Sequence, residues 1–160
     1  MPTHAEKRLV PYTPGQLFDL VADVGRYPEF LPWCVGADVR EQSEAHLVAD
    51  LTIGFKLFRE RFTSRVALDR PQMVHVAYEN GPFRYLNNHW KFLPHERGCL
   101  VDFYVDFEFQ SRLLQAAIGV VFNEATRLMV NSFLRRARSV YGPPGTARPV
   151  AAPPQKLQPG

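Results

Sequence analysis

Few side chains in this sequence have the types and spacing that catalysis or metal binding requires. The five histidines are His4, His46, His75, His89 and His95, and none stands at a His-x-His or His-x-x-x-His spacing. The sequence contains neither a glycine-rich phosphate loop nor a G-x-S-x-G motif. We therefore predict no metal ligands, no catalytic residues and no cofactor.

The two cysteines, Cys34 and Cys99, are too few for a disulfide framework or a four-cysteine zinc site. Cys34 follows a tryptophan, but no general base can be identified for it in the sequence. We interpret it as a small buried hydrophobic residue. His89 lies on the polar face of a predicted strand, which favours a solvated histidine.

Glu60 is the carboxylate best placed for chemistry, because alternation along its predicted strand puts it on the same face as Phe58 and Phe62. That face is predicted to point inward, and a buried carboxylate needs a partner. Glu60 lies either at the mouth of a cavity or on a bulge that turns it outward. A cyclase or hydrolase using Glu60, His75 or Arg84 within the cavity is a further alternative. It needs several polar groups that converge inward, and the alternation does not supply them in number. We predict that the protein is not an enzyme.

The composition is that of one soluble domain of 160 residues, with 46% hydrophobic residues and a net charge of +3. This charge is too small to demand a nucleic acid, and we expect no DNA partner, but it tolerates an anionic membrane or ribosomal RNA. With two cysteines and no N-terminal signal sequence, we expect a reducing cytosol. The longest apolar run, 113–122, is far short of the roughly 20 residues that span a bilayer.

Two short helices are predicted after a first strand at 5–11. Thr13 as N-cap, Pro14 and Gln16 form a capping box, and Gly25 is expected to end the first helix. The segment 21–34, which we call the lid, carries many apolar residues around Pro28 and Pro32. The prolines predict short helical turns. Two interpretations are open: the lid covers a cavity, or it only closes one end of a sheet.

Period-two alternation predicts antiparallel strands at 46–55, 58–68, 73–79, 85–93 and 99–109. Ser111 is a plausible N-cap for a long helix from 112 to about 140. Its apolar stripe consists of Leu114, Ile118, Val121, Phe122, Ala125, Leu128, Met129 and Phe133. The predicted α+β body is therefore a curved antiparallel sheet around one C-terminal helix. A proline-rich tail at 142–160 is predicted to be disordered.

The first third of this helix and the outer face of the sheet suggest partners. Only Gln115 is polar between 113 and 122, so apolar atoms must lie on more than one face, as in contact with lipid or a partner. Arg59, Arg61 and Arg65 point outward, but no stacking aromatics accompany them, which favours a solvated face over an RNA-binding surface.

The sequence contains the segments F-D-L-V-A-D-V-G-R-Y-P-E-F-L-P-W-C, F-R-E-R-F-T-S-R-V and G-P-F-R-Y-L-N-N-H-W-K-F. Together they resemble the coenzyme-Q-binding protein family of the START-like, helix-grip superfamily, and the resemblance covers residues 7–138. The residues that match the family motifs are Tyr27, Pro28, Phe30, Leu31, Pro32, Trp33 and Cys34 in the lid, and Gly81, Pro82, Phe83 and Trp90 beyond it.

The resemblance implies a START-like lipid-binding domain at 1–141, with a seven-stranded sheet that grips the C-terminal helix around an apolar tunnel. It implies binding of ubiquinone or another polyprenyl lipid, as a carrier or chaperone in respiration and quinone synthesis. The same group is similar to a bacterial toxin thought to bind the large ribosomal subunit, so a ribosome-associated regulator is the alternative.

We predict ligand contacts from the lid, the inward strand faces and the long helix. They are Phe30, Leu31, Trp33, Phe62, Phe83, Trp90, Phe103, Val105, Phe107, Ile118, Val121, Phe122 and Met129. The expected partners are a polyprenyl quinone or similar lipid and a transiently bound membrane surface, with the ribosome as the alternative partner. The expected location is the cytoplasm, peripheral at the inner membrane.

Overall fold

A computed structural model describes residues 3–55 and 57–143, with the side chains of all but Phe55, Val121 and Asn123. The strands are β1 Thr3–Val10, β2 Cys34–Gln42, β3 His46–Phe55, β4 Phe58–Asp69, β5 Met73–Asn80, β6 Phe83–His95 and β7 Gly98–Phe109. The helices are α1 Pro14–Ala22, a 3-10 helix Val24–Glu29 and the long α2 Arg112–Tyr141.

The seven strands form one antiparallel sheet in the order β1-β7-β6-β5-β4-β3-β2. Strands β2 to β7 are a meander, and β1 pairs with the outer edge of β7. The β3–β4 hairpin, the β5–β6 turn and the β7–α2 link therefore lie at the same end of the sheet, which we call the hairpin end. The helix-grip fold predicted from the sequence is confirmed.

Capping residues fix where both α-helices begin. The Thr13 hydroxyl accepts from the Gln16 backbone N–H at 3.1 Å, and the Gln16 side chain accepts from the Thr13 N–H at 2.9 Å. The Ser111 hydroxyl accepts from the Leu114 N–H at 3.1 Å and caps α2. Such caps satisfy amide groups that the first helical turn leaves without partners. Both predicted helix starts are confirmed.

Helix α2 bends by 67° between its parts Arg112–Val120 and Glu124–Tyr141. Just beyond the bend, the Thr126 hydroxyl donates to the carbonyl oxygen of Phe122 at 3.0 Å, a bond that competes with the helical ladder and favours bending. Among the described residues, no single helix has both the length and the apolar composition to cross a bilayer. The two parts of α2 meet that test only when they are counted together across the bend.

The core lies between the concave face of the sheet, α1, the lid and the second part of α2. Trp90 is central, with its ring 4.5 Å from that of Phe103 and 4.9 Å from that of Phe133. Phe92 and Phe103 are almost fully buried. The inward positions predicted for β6 and β7 are therefore correct.

Three details differ from the sequence-based expectations. Strand β2 was not predicted as a separate strand, because most of its residues are exposed at the sheet edge and show no alternation. Helix α1 ends at Ala22, before Gly25, which lies in the 3-10 helix. Leu128 is 45% exposed and does not belong to the apolar stripe of α2. The predicted tail falls almost entirely on residues 144–160, which lie outside the described part of the chain.

Candidate ligand-binding cavity

A cavity of about 240 Å³ lies between the concave face of the sheet and α2. Its wall is built from inward side chains of β3 to β7, from the lid and from the inner face of α2. These positions alternate along each strand, so the sheet supplies a continuous apolar floor. Most of the wall consists of aliphatic and aromatic groups.

The cavity brings together most of the residues predicted as ligand contacts. Those that line it are Trp33, Phe62, Phe83, Trp90, Phe103, Val105, Phe107, Ile118, Phe122 and Met129. Their role as ligand contacts stays a prediction. The side chain of Val121 lies outside the described part of the structure.

Phe30 and Leu31 were predicted as ligand contacts, but they do not line the cavity. The Phe30 ring stacks edge-on against Phe133 at 5.2 Å, and Leu31 is buried in the core. In the lid, Tyr27 and Trp33 face the cavity instead. The irregular 3-10 backbone gives no period from which these directions could be read.

The lid is fastened to the second part of α2. Arg136 donates from Nη2 to Glu29 Oε1 at 2.8 Å, and its guanidinium lies 5.0 Å from the Phe30 ring centre. This hydrogen bond lowers the pKa of Glu29 below its usual value. The Tyr27 hydroxyl donates to the carbonyl of Val21, and burial raises the pKa of Tyr27 far above its usual value. The predicted short helical turns are confirmed, and the lid packs against α2.

Sequence reasoning missed several wall residues from the inward faces of β3, β4 and β5. Leu51, Ile53, Val66, Val74 and Val76 all line the cavity. The same alternation that identified the inward face of β7 also covers these strands. What the pattern cannot tell is which part of an inward face meets the cavity and which part meets α1 or the lid.

A few polar groups interrupt the apolar wall. Glu60 lines the cavity, because β3 and β4 pair without a register shift through Ile53 and Glu60. The bulge that would have turned Glu60 outward is therefore absent from this pair. Asn88 also faces the cavity, and its Nδ2 donates to the Tyr104 carbonyl at 2.9 Å.

The groups considered for catalysis do not meet in the cavity. His75 and Arg84 are exposed on the outer face of the sheet, and neither lines the cavity with Glu60. His89 is partly buried, and desolvation lowers its pKa below the usual value. Within residues 3–55 and 57–143, no group of three His, Cys, Asp or Glu side chains is placed to hold a metal ion.

Both thiols are buried, and burial raises the pKa of Cys34 and of Cys99 to about 11. At pH 8 we expect the native protein to react with a thiol reagent more than about a hundredfold more slowly than the unfolded chain, whose thiols have a pKa near 8.5. Timed alkylation followed by mass spectrometry, with and without denaturant, measures this. Rapid labelling of native Cys34 would contradict the interpretation of Cys34 as a core residue.

The same pKa values set the sign of a pH dependence. The folded state holds both thiol protons up to about pH 11, whereas the unfolded chain releases them from about pH 8.5. Thiol burial thus contributes stability that is present below pH 8.5 and is lost as the pH rises towards 11.

Arg61 and Arg65 of the outer face are ion-paired. Arg61 lies 3.1 Å from both Asp38 and Asp50, and Arg65 lies 3.1 Å from Glu79. A hydrogen bond from Thr63, together with Arg61, holds the pKa of Asp50 below its usual value. These pairs lower the positive charge that this face presents, in agreement with a solvated surface.

The sequence matches the polyketide cyclase/dehydrase and lipid transport family over residues 10–134. It is 44% identical to the ribosome association toxin RatA of Vibrio cholerae, over 84% of this chain and 94% of that protein. It is 34% identical to the mitochondrial coenzyme Q-binding protein COQ10 of Drosophila melanogaster, over 88% of this chain and 60% of that protein.

Among solved structures, the chain is similar to the 18 kDa protein CC1736 of Caulobacter crescentus. The TM-score is 0.72 at 35% identity, over 89% of this chain and all of that one. The chain therefore belongs to the polyketide cyclase/dehydrase and lipid transport family. Within it, the chain is similar both to proteins named as ribosome association toxins and to a protein named as coenzyme Q-binding.

Proposed function

We propose that the protein binds a polyprenyl quinone of the ubiquinone type and carries it between membranes and the enzymes of respiration and quinone synthesis. The single observation that supports this most is the cavity, whose wall is almost wholly apolar. Transfer from water gains about 0.8 kcal/mol for each buried CH₂ group, so an isoprenoid chain binds there without polar partners. We further propose that it acts as a carrier without catalysing a reaction.

The size of the cavity suggests how a long lipid is held. About 240 Å³ is near the lower limit of small-molecule sites, which are roughly 300–1,000 Å³. A complete polyprenyl chain exceeds this volume, so part of it leaves through an opening. We place that opening at the hairpin end. Phe58 lines the cavity and its neighbour Leu57 is exposed, and Ile118 lines the cavity whereas Val120, two residues later, is exposed.

Extraction of lipids from the purified full-length protein tests the proposal. Mass spectrometry of the extract is expected to show a polyprenyl quinone in amounts approaching one per chain. Its complete absence, together with failure of added quinone to bind, would count against the carrier. Recovery of a different apolar lipid would keep a lipid-binding role and refute the quinone.

We propose that the protein loads its ligand at the cytoplasmic surface of the inner membrane. Leu57, Leu113 and Val120 are 98%, 71% and 84% exposed, and both the β3–β4 hairpin and the start of α2 lie at the hairpin end. Exposed apolar groups beside a lipid opening favour insertion into the boundary between head groups and acyl chains.

Val120→Glu is expected to weaken binding to phosphatidylcholine–phosphatidylglycerol vesicles about tenfold, because a charge replaces an inserted apolar group. Vesicle flotation measures the bound fraction. The matched control is Leu93→Glu, since Leu93 is also exposed but lies at the opposite end of the sheet. Equal losses in the two variants would show that charge alone, and not the hairpin end, determines binding.

Ribosome association is the second candidate, favoured by the 44% identity to a protein named as a ribosome association toxin. The exposed Arg135 and Arg138 at the end of α2 could contact ribosomal RNA. Co-sedimentation with purified large subunits at several salt concentrations tests this function. Binding that vanishes with slightly raised salt would indicate nonspecific attraction and eliminate this candidate.

A further inference from the structure

Strand β4 directs two polar side chains into the cavity, Glu60 and Ser64, on either side of Phe62. Ser64 is only 1% exposed, and Glu60 is partly buried nearer the hairpin end. Both positions follow from the regular pairing of β4 with β3, in which Glu60 faces Ile53 and Ser64 faces Ala49.

Among the described residues, the Glu60 carboxylate and the Ser64 hydroxyl form no hydrogen bond and no ion pair. Asp50, on the outer face of β3, is the opposite case, because Arg40, Arg61 and Thr63 all bind it. Partners are expected for a carboxylate that is partly withdrawn from water. A molecule that enters the cavity can supply one to Glu60.

Trp33 adds a hydrogen-bond donor at the same end of the cavity. Its indole Nε1 is buried, and no described residue accepts from it. The Trp33 carbonyl accepts from the Gly54 N–H at 2.8 Å, so Trp33 and Glu60 lie on opposite sides of β3. Two strand spacings place their Cα atoms roughly 10 Å apart. Trp33 and Glu60 therefore flank the same part of the cavity.

We propose that Glu60 accepts a hydrogen bond from a ring hydroxyl of the bound lipid, so that the cavity prefers a phenol or hydroquinone head group to an oxidised quinone. The inference rests on the proposed lipid-binding function. An ionised carboxylate can only accept hydrogen bonds. The carbonyl and ether oxygens of an oxidised quinone also only accept, so they repel Glu60, whereas a hydroxyl donates to it in a strong charge-assisted bond.

Two probes that differ only in this donor test the proposal. 4-Nonylphenol and 4-nonylanisole compete with a fluorescent fatty acid for the full-length protein, and the anisole carries a methyl group in place of the hydroxyl hydrogen. The phenol is expected to bind at least about tenfold more tightly, the usual size of a hydrogen bond to a charged group. Equal affinities of the two probes would overturn the proposal while leaving lipid binding intact. Binding of neither probe would instead count against the proposed function itself.

Two variants assign the preference to Glu60. Glu60→Leu is expected to bind both probes equally, with an affinity for the anisole within about threefold of the wild type, whereas Ser64→Ala is expected to keep the preference for the phenol. Thermal unfolding of both variants checks that they fold. A preference that survives in Glu60→Leu, or that disappears only in Ser64→Ala, would overturn the role of Glu60.

Discussion

Replacing Ala125 with phenylalanine is expected to abolish lipid binding and leave the fold intact. Ala125 lies on the inner face of α2 and lines the cavity, so the new ring occupies space that the ligand needs. If the ring displaces only four methylene groups, the loss is about 3 kcal/mol, or more than a hundredfold in affinity. Titration with a ubiquinone analogue carrying a short tail, followed by equilibrium dialysis, measures the affinity.

The matched control is Ala77→Phe on the outer, exposed face of β5. It adds the same side chain to the same protein but does not reach the cavity. The control is expected to bind lipid as the wild type does, and both variants are expected to unfold near the wild-type temperature. Wild-type affinity in a well-folded Ala125→Phe variant would mean that the lipid does not occupy this cavity.

The fold was predictable from the sequence where one face of an element is buried and the other is exposed to solvent. In β7, Val101, Phe103 and Val105 point inward, and the residues between them are less buried. Strand β2 has no such contrast, because it is the last strand at its edge and most of its side chains meet water. Only the resemblance to a family of seven-stranded proteins indicated that it exists.

The long helix shows why a constant period fails over thirty residues. Leu114 before the bend and Phe122 within it are buried as predicted. Beyond it, the buried positions include Thr126 and Ser132, whose hydroxyls donate to backbone carbonyls of the helix and so can face inward. Leu128 falls on the exposed side. A hydrophobic count cannot anticipate that polar residues satisfy their own hydrogen bonds inside a core.

The candidate site was predictable in its composition and not in its boundary. Alternation placed Glu60 on an inward face, and only the register between β3 and β4 excludes a bulge. Phe30 was expected to contact the ligand as part of the lid motif, but its ring packs against Tyr27 and Phe133 and does not line the cavity. Tertiary packing decides which large apolar side chains fill the core and which leave space beside them.

The turn before β6 holds a glycine that is expected to have a large effect on stability. Gly81 has a φ of 148°, and a Cβ atom there would lie 2.5 Å from the Cβ and 2.8 Å from the Cα of Phe62. This close approach brings Phe83 against Phe62, with ring centres 5.2 Å apart. The G-P-F segment thus needs glycine because the turn backbone lies directly on β4.

Gly81→Ala is therefore expected to destabilise the protein by about 3 kcal/mol, since backbone strain and a clash with β4 act together. The unfolding temperature should fall by roughly 10 °C. Lipid binding should also weaken, because Phe62 and Phe83 both line the cavity.

Gly119→Ala is the matched control, since Gly119 is an exposed residue of α2 whose added Cβ would meet nothing within 4 Å. This control should stabilise the helix by up to about 1 kcal/mol. Equal unfolding temperatures for the two variants would show that the G-P-F turn adapts to a Cβ atom. They would also show that contact between the turn and β4 does not hold Phe62 and Phe83 in place.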